Sequence, residues 1–198
     1  MRVGIVGLGL IGGSLGLALR RLNPRVEVVG VTRRSDAAAT ARARGAVDDA
    51  STDLAMLQNA DVVVVATPID QIPGVLDQLA PLAIAGAVIT DVASVKRPVR
   101  TWVRRLAEPG LFLGGHPVAG KAQSGIEASD AAIFRGEAWI FTPLEAQNLR
   151  PFQDRPRLNL TRIPIGCSHG IGSRQAAVRG CMQPSSMHPL FACVSAPP

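Results

Sequence analysis

One histidine stands alone among the first 143 residues. His116 lies in the string Leu113-Gly114-Gly115-His116-Pro117-Val118-Ala119-Gly120, between flexible glycines and a rigid proline, just after a short apolar run. A neutral imidazole in such a place can accept a proton from a substrate hydroxyl at physiological pH. A dehydrogenase needs such a group, because the hydroxyl loses its proton as hydride leaves carbon. The alternative is a histidine that satisfies loop backbone groups. A second string, Thr90-Asp91-Val92-Ala93-Ser94-Val95-Lys96, stands where another strand should open.

A third string points to a phosphate-bearing ligand. Gly7-Leu8-Gly9-Leu10-Ile11-Gly12 follows the first apolar run directly and opens into a helical pattern. In this G-x-G-x-x-G arrangement the first glycine permits a tight turn and the second lets the backbone approach a pyrophosphate. The third allows close helix–strand packing. The helix N-terminus then offers free N–H groups and a partial positive charge to the phosphates. The next strand ends in Thr32-Arg33-Arg34. An NAD site usually places an acidic residue there for the ribose 2′-hydroxyl. A hydroxyl and two guanidinium groups suit a 2′-phosphate instead, so the cofactor is expected to be NADP rather than NAD. The alternative is that Arg33 and Arg34 form a solvated helix entry.

These strings need elements to hold them. Arg2 to Val6 reads as a strand, Leu10 to Leu22 as a helix stopped by Asn23-Pro24, and Val26 to Val31 as a second buried strand. Asp36 to Arg44 is helical, with Ser35 or Asp36 as N-cap and Gly45 just beyond the end. Val62 to Val65 is a strand apolar on both faces. Ile72 to Leu82 reads as a helix, Ala87 to Thr90 as a strand and Ser94 to Leu106 as a helix. Leu111 to Leu113 and Ala138 to Phe141 complete the set of strands. Apolar strands alternating with helices predict an α/β fold: a Rossmann-type doubly wound parallel sheet with helices on both faces.

The composition shifts after residue 143. The chain carries 21 Lys+Arg against 15 Asp+Glu, a net charge of +6, yet only Glu145 and Asp154 are acidic beyond Pro143. Cys167, Cys181 and Cys193 all lie there, and Pro151, Pro156, Pro164, Pro184 and Pro189 interrupt every helix-length window. Residues 1–143 are therefore expected to form the NADP-binding domain, and 144–198 an irregular or disordered tail. The basic balance raises nucleic acid as a partner. The arginines are scattered, aromatic residues make up 4% and Tyr is absent, so no nucleic-acid partner is expected. Val3 to Leu19 is apolar, but its glycines suit a strand and turn better than an export or membrane segment. A cytoplasmic chain with no membrane association and no metal site is expected.

Gly7 to Gly12, Ala66-Thr67-Pro68-Ile69, Asp91 to Lys96 and Gly114 to Gly120, in that order, resemble the prephenate/arogenate dehydrogenases of tyrosine biosynthesis. The resemblance covers about residues 1–143, and Thr32-Arg33 resembles the NADP-using, arogenate-type members. It implies oxidative decarboxylation of a small-molecule substrate, arogenate or prephenate. Hydride passes from C4 of the cyclohexadienyl ring to the nicotinamide, the C4 hydroxyl gives up its proton, and loss of CO₂ makes the ring aromatic. By this resemblance His116 is the base for the hydroxyl. Ser94 supports it by a hydrogen bond to that hydroxyl or to the nicotinamide side, and Thr67 and Pro68 line the nicotinamide pocket. Asp91 and Lys96 are read as structural, with substrate contact the alternative. Lys121 stands where the family commonly has a small hydroxyl residue, and a lysine there could meet a substrate carboxylate. Family members continue into an all-helical domain that builds a homodimer and completes the substrate pocket. Residues 144–198 resemble none of it and read as a shifted reading frame or a replaced tail. Two other readings follow: a cofactor-binding fragment without catalysis, and another NADP-linked dehydrogenase of the β-hydroxyacid type.

Overall fold

The computed structural model describes residues 1–82, 86–106 and 111–144, together with the backbone of 192–193. Strands β1 (Arg2–Val6), β2 (Glu27–Val31), β3 (Asp49–Ser51), β4 (Val62–Val65), β5 (Val88–Asp91) and β6 (Phe112–Pro117) run parallel. β7 (Trp139–Thr142) joins β6 antiparallel, and the two-residue β8 (Ala192–Cys193) joins β7 parallel. The order β3-β2-β1-β4-β5-β6-β7-β8 reverses direction between β1 and β4. Ligands of doubly wound sheets bind in the crevice that such a reversal opens at the carboxyl ends of the strands.

The helices are α1 (Leu10–Leu22), α2 (Ser35–Ala43), α3 (Ile72–Leu79) and α4 (Arg97–Trp102). All four valines of β4 are buried, as a strand covered on both faces requires. One apolar cluster includes Val3, Ile5, Leu15, Leu19 and Val64, on the side of α1 and α2. The other includes Val63, Val65, Leu76, Val99 and Phe112, on the side of α3 and α4. α1 ends where Asn23 donates its backbone N–H to Leu19 O, just before Pro24. Gly45, at φ +69°, lies one residue beyond the C-cap of α2. The doubly wound α/β fold is thus the one expected from alternating apolar strands and helices.

Several details differ from that expectation. α2 starts one residue early, so Arg34 holds the N-cap and Asp36 lies in the first turn. α3 stops at Leu79, with Ala80 as its C-cap, because Pro81 has no N–H to carry the helical ladder further. α4 begins at Arg97 rather than Ser94. Started at Ser94, it would put Pro98 where an N–H must reach the Ser94 carbonyl. Started at Arg97, it puts Pro98 in the first turn, where no N–H is needed. A 3₁₀ turn over Val103–Arg105 then replaces the last turn of the expected helix. β6 runs four residues past Leu113 because β7 pairs with Gly114 to Pro117. Glycine and proline there suggested a loop, and the partner strand overrides them. β3 is only three residues of mixed polarity, and the Leu54–Leu57 3₁₀ turn, capped by Asp53 accepting from Ala55 N at 2.9 Å, is an apolar run too short to show a period. Among the described residues no helix is long and apolar enough to cross a membrane. The expected irregular tail over 144–198, and the homodimer domain it replaces, fall outside the described residues apart from Leu144 and the backbone of β8.

Candidate functional site

A cleft of about 590 Å³ opens at the carboxyl ends of β1, β2 and β4. Gly7, Leu8 and Gly9 form its floor, Thr32, Arg33 and Arg34 one end, and Thr67 and Pro68 the other. Gly7 takes φ +97°, and a Cβ there would lie 2.7 Å from Ala66 O. Gly12 does not line the cleft; it faces inward, where a Cβ would stand 2.0 Å from Gly7 O. Gly9 is the opposite case, since a Cβ added there meets nothing within 4 Å. Its open side is the cleft, at the N-terminus of α1, which has no side-chain cap and no acidic residue in its first turn. Leu10 and Ile11 are half-buried on α1 and stay off the cleft wall.

These residues fit a dinucleotide. The uncapped end of a 13-residue helix offers N–H groups to an anion where Gly9 leaves the backbone uncovered. At the far end, the Thr67 hydroxyl is buried without a hydrogen-bond partner among the described residues. A buried orphan of this kind costs about 1–3 kcal/mol, so a polar ligand group in the cleft is its natural complement. Leu8 packs against Gly30 and closes the floor.

The Thr32-Arg33-Arg34 end is electrically mixed. Arg34 donates to Asp36 through Nε at 2.9 Å and through Nη2, and this bond holds the Asp36 carboxyl at about 2. Both groups are therefore charged at any working pH. Arg33 is exposed and makes no hydrogen bond or ion pair among the described residues. Glu127 lines the same end of the cleft. An acid absent from the strand end is thus present in space, from Asp36 and from a residue 95 positions after Thr32.

Glu127 arrives on the loop after β6. Ile126 is buried against Gly13 of α1, where a Cβ would lie 2.4 Å from its Cδ1. Ser129 Oγ donates to Ile126 O at 2.6 Å, Arg44 Nη2 donates to Ser129 O at 3.0 Å, and Asp130 N donates to Ser14 Oγ at 2.8 Å. Lys121 pairs with Asp130 at 2.9 Å on this loop, which draws the Asp130 carboxyl below its usual range after its bond from Ala132 N. Ser124-Gly125 is a local turn signal that could have pointed to a bend, but nothing local says that the loop lands on α1 and α2.

Beyond the cleft lie His116 and Ser94. His116 is half-buried near the end of β6, inside the strand rather than after it, and its Nδ1 lies 3.4 Å from Val92 O. A proton on Nδ1 shared with that carbonyl leaves Nε2 as an unprotonated acceptor. Ser94 is exposed in the β5–α4 connection and donates to no other described residue, so it is not on a helix as expected. Neither residue lines the cleft, whose wall continues past Thr67 and Pro68 onto Asp70, Gln71 and the α3 residues Gly74, Val75 and Gln78.

Asp91 and Lys96 fix this end of the sheet. Asp91 is fully buried; its Oδ1 accepts from Gly115 N at 3.1 Å and its Oδ2 from Ala93 N at 3.1 Å and Lys96 Nζ at 2.5 Å. Lys96 also donates to Gly115 O. Burial pushes the Lys96 ammonium down, and the Asp91 carboxylate opposes that shift. The pair ties the β5–α4 connection to the residue before His116.

Residues 15–157 match the family described as prephenate dehydrogenase, nucleotide-binding domain. A prephenate dehydrogenase of Bacillus subtilis (strain 168) is 35% identical over 142 residues, 70% of this chain and 38% of that protein. A prephenate dehydrogenase of Lactococcus lactis subsp. cremoris is 34% identical over 149 residues, 74% of this chain and 42% of that protein. Among solved structures, Synechocystis arogenate dehydrogenase aligns with TM-score 0.69 and 37% identity, over 84% of this chain and 57% of that one. Prephenate dehydrogenase of A. aeolicus, in complex with hydroxyphenyl propionate and NAD+, aligns with TM-score 0.71 and 28% identity, over 80% of this chain and 56% of that one. The chain spans about two fifths of the length of these two curated relatives.

Proposed function

Because the chain belongs to the prephenate dehydrogenase family, through its nucleotide-binding domain, we propose that residues 1–143 bind NADP and serve the oxidative decarboxylation of arogenate or prephenate. We place this step in tyrosine biosynthesis, in the cytoplasm, on the strength of the family resemblance. The cofactor, when bound, supplies the hydride acceptor. Gly7, Gly9 and the N-terminus of α1 hold its pyrophosphate, Thr32 and Arg33 its adenosine end, and Thr67 and Pro68 the nicotinamide end. NADP is favoured over NAD by Arg33, the guanidinium of this corner with no carboxylate partner among the described residues.

The observation that carries the chemistry is the setting of His116. Its Nδ1 lies 3.4 Å from the Val92 carbonyl, so a proton held there leaves Nε2 as the acceptor. His116 takes the proton of the substrate ring hydroxyl at Nε2, and exposed Ser94 supplies a hydrogen bond to the same oxygen or to the nicotinamide side. The buried Asp91–Lys96 pair keeps the backbone before His116 in place. Much of the driving force comes from ring aromatisation, so the protein's part is orientation and proton acceptance.

The test is to add NADP+ with arogenate, then with prephenate, and follow absorbance of the reduced cofactor. His116→Ala should lower turnover by about 10²–10⁴-fold, the usual share of a positioned base, with NADP+ affinity nearly unchanged. An equal loss of cofactor affinity would remove the base assignment. Measurable NADP+ binding without turnover by the parent chain would restrict the role to nucleotide binding.

A further inference from the structure

We propose that Glu127 is a specificity-determining residue of the cleft: its carboxylate, delivered by the loop after β6, faces the Arg33–Arg34 corner and favours a free ribose diol over a 2′-phosphate. This rests on the nucleotide-binding reading above and limits the preference for NADP that Arg33 gives the site. Three observations support it. First, Glu127 is exposed at the cleft wall and makes no hydrogen bond or ion pair among the described residues, so its carboxylate is available. Second, it is held rather than loose. Buried Ile126 locks against Gly13, Ser129 is gripped by Arg44, and Gly125 at φ +89° turns the chain so that Glu127 Oε2 folds back over it. Third, Arg34 already carries Asp36 as a two-bond partner, and Glu127 adds a second negative charge near that guanidinium.

The corner therefore holds Arg33 and Arg34 against Asp36 and Glu127, and is balanced rather than basic. A 2′-phosphate brings close to two negative charges next to Glu127. A 2′-hydroxyl brings a donor, which a carboxylate accepts. Arg33 pulls the preference one way and Glu127 the other.

The experiment compares the full chain with Glu127→Gln and Arg33→Ala, titrating NADP+ and NAD+ by calorimetry at low and high ionic strength. Glu127→Gln keeps the shape of an exposed side chain and removes only the charge. It should tighten NADP+ by about 3–10-fold, as expected for one like charge at a solvated rim, and leave NAD+ unchanged or slightly weaker. The gain should shrink at high salt, because exposed charges are screened. Arg33→Ala should move the NADP+/NAD+ ratio the opposite way. A ratio unmoved by Glu127→Gln, or a gain that ignores salt, overturns the proposal while leaving nucleotide binding intact. A parent chain that binds neither nucleotide overturns the nucleotide-binding reading itself, and the proposal with it.

Discussion

Thr67 shows what a single atom can reveal. Its hydroxyl is buried with no partner among the described residues, at the cleft end opposite Arg33. Buried polar groups are nearly always satisfied, so an orphan in a cleft wall reads as half of a bond made to a ligand. Thr67→Val removes the oxygen and keeps the branched shape. It should leave thermal stability unchanged or slightly higher, because no internal bond is lost, while weakening NADP+ by about 3–10-fold, the worth of one ordinary hydrogen bond. A clear drop in melting temperature with unchanged affinity would show instead that the hydroxyl serves the fold. Ser94 offers no such clue, being exposed and bonded to no other described residue. Its type and neighbourhood could be read from sequence, but its connection to an irregular segment could not.

The glycines of the β1–α1 connection divide between fold and ligand. Gly12 sits against the Gly7 carbonyl, while Gly9 faces open space in an extended conformation that any residue can adopt. Gly12→Ala should destabilise the protein by on the order of 3 kcal/mol, since the obstacle is backbone that cannot swing aside. For a chain of this length that is a fall of about 6–12 °C in Tm. Gly9→Ala should hold its Tm and lose nucleotide affinity. Equal Tm losses in the two would end the division of labour. The spacing of these glycines was legible because it follows from how strand, turn and helix must pack. The length of β6 was not. Gly114, Gly115 and Pro117 are poor strand formers alone, and only pairing with β7 makes them one.

At the scale of the molecule, the sheet was legible because strands buried on both faces read as unbroken apolar runs, as Val62 to Val65 do. The charge balance of the cleft was not. It depends on Asp130 N reaching Ser14 Oγ across 116 residues, which no local pattern encodes. If the cleft holds the cofactor, the whole fold should feel it. NADP+ at about 100 times its Kd should add about 2.7 kcal/mol to stability, a rise of about 5–10 °C in Tm for a chain of this size. An unchanged melting curve at saturating NADP+ would argue against a native-state nucleotide site. The two tryptophans give this a second readout. The chain has no Tyr and only Trp102 and Trp139, so its ultraviolet emission comes from one indole on each side of the sheet. Trp139 packs with Phe134 and Phe141, and its Nε1 lies 2.9 Å from where a Cβ on Gly115, the residue before His116, would stand. With Trp102 changed to Phe, the remaining emission becomes an internal lamp beside the proposed reaction centre, and its quenching by reduced cofactor would report occupancy without any added dye.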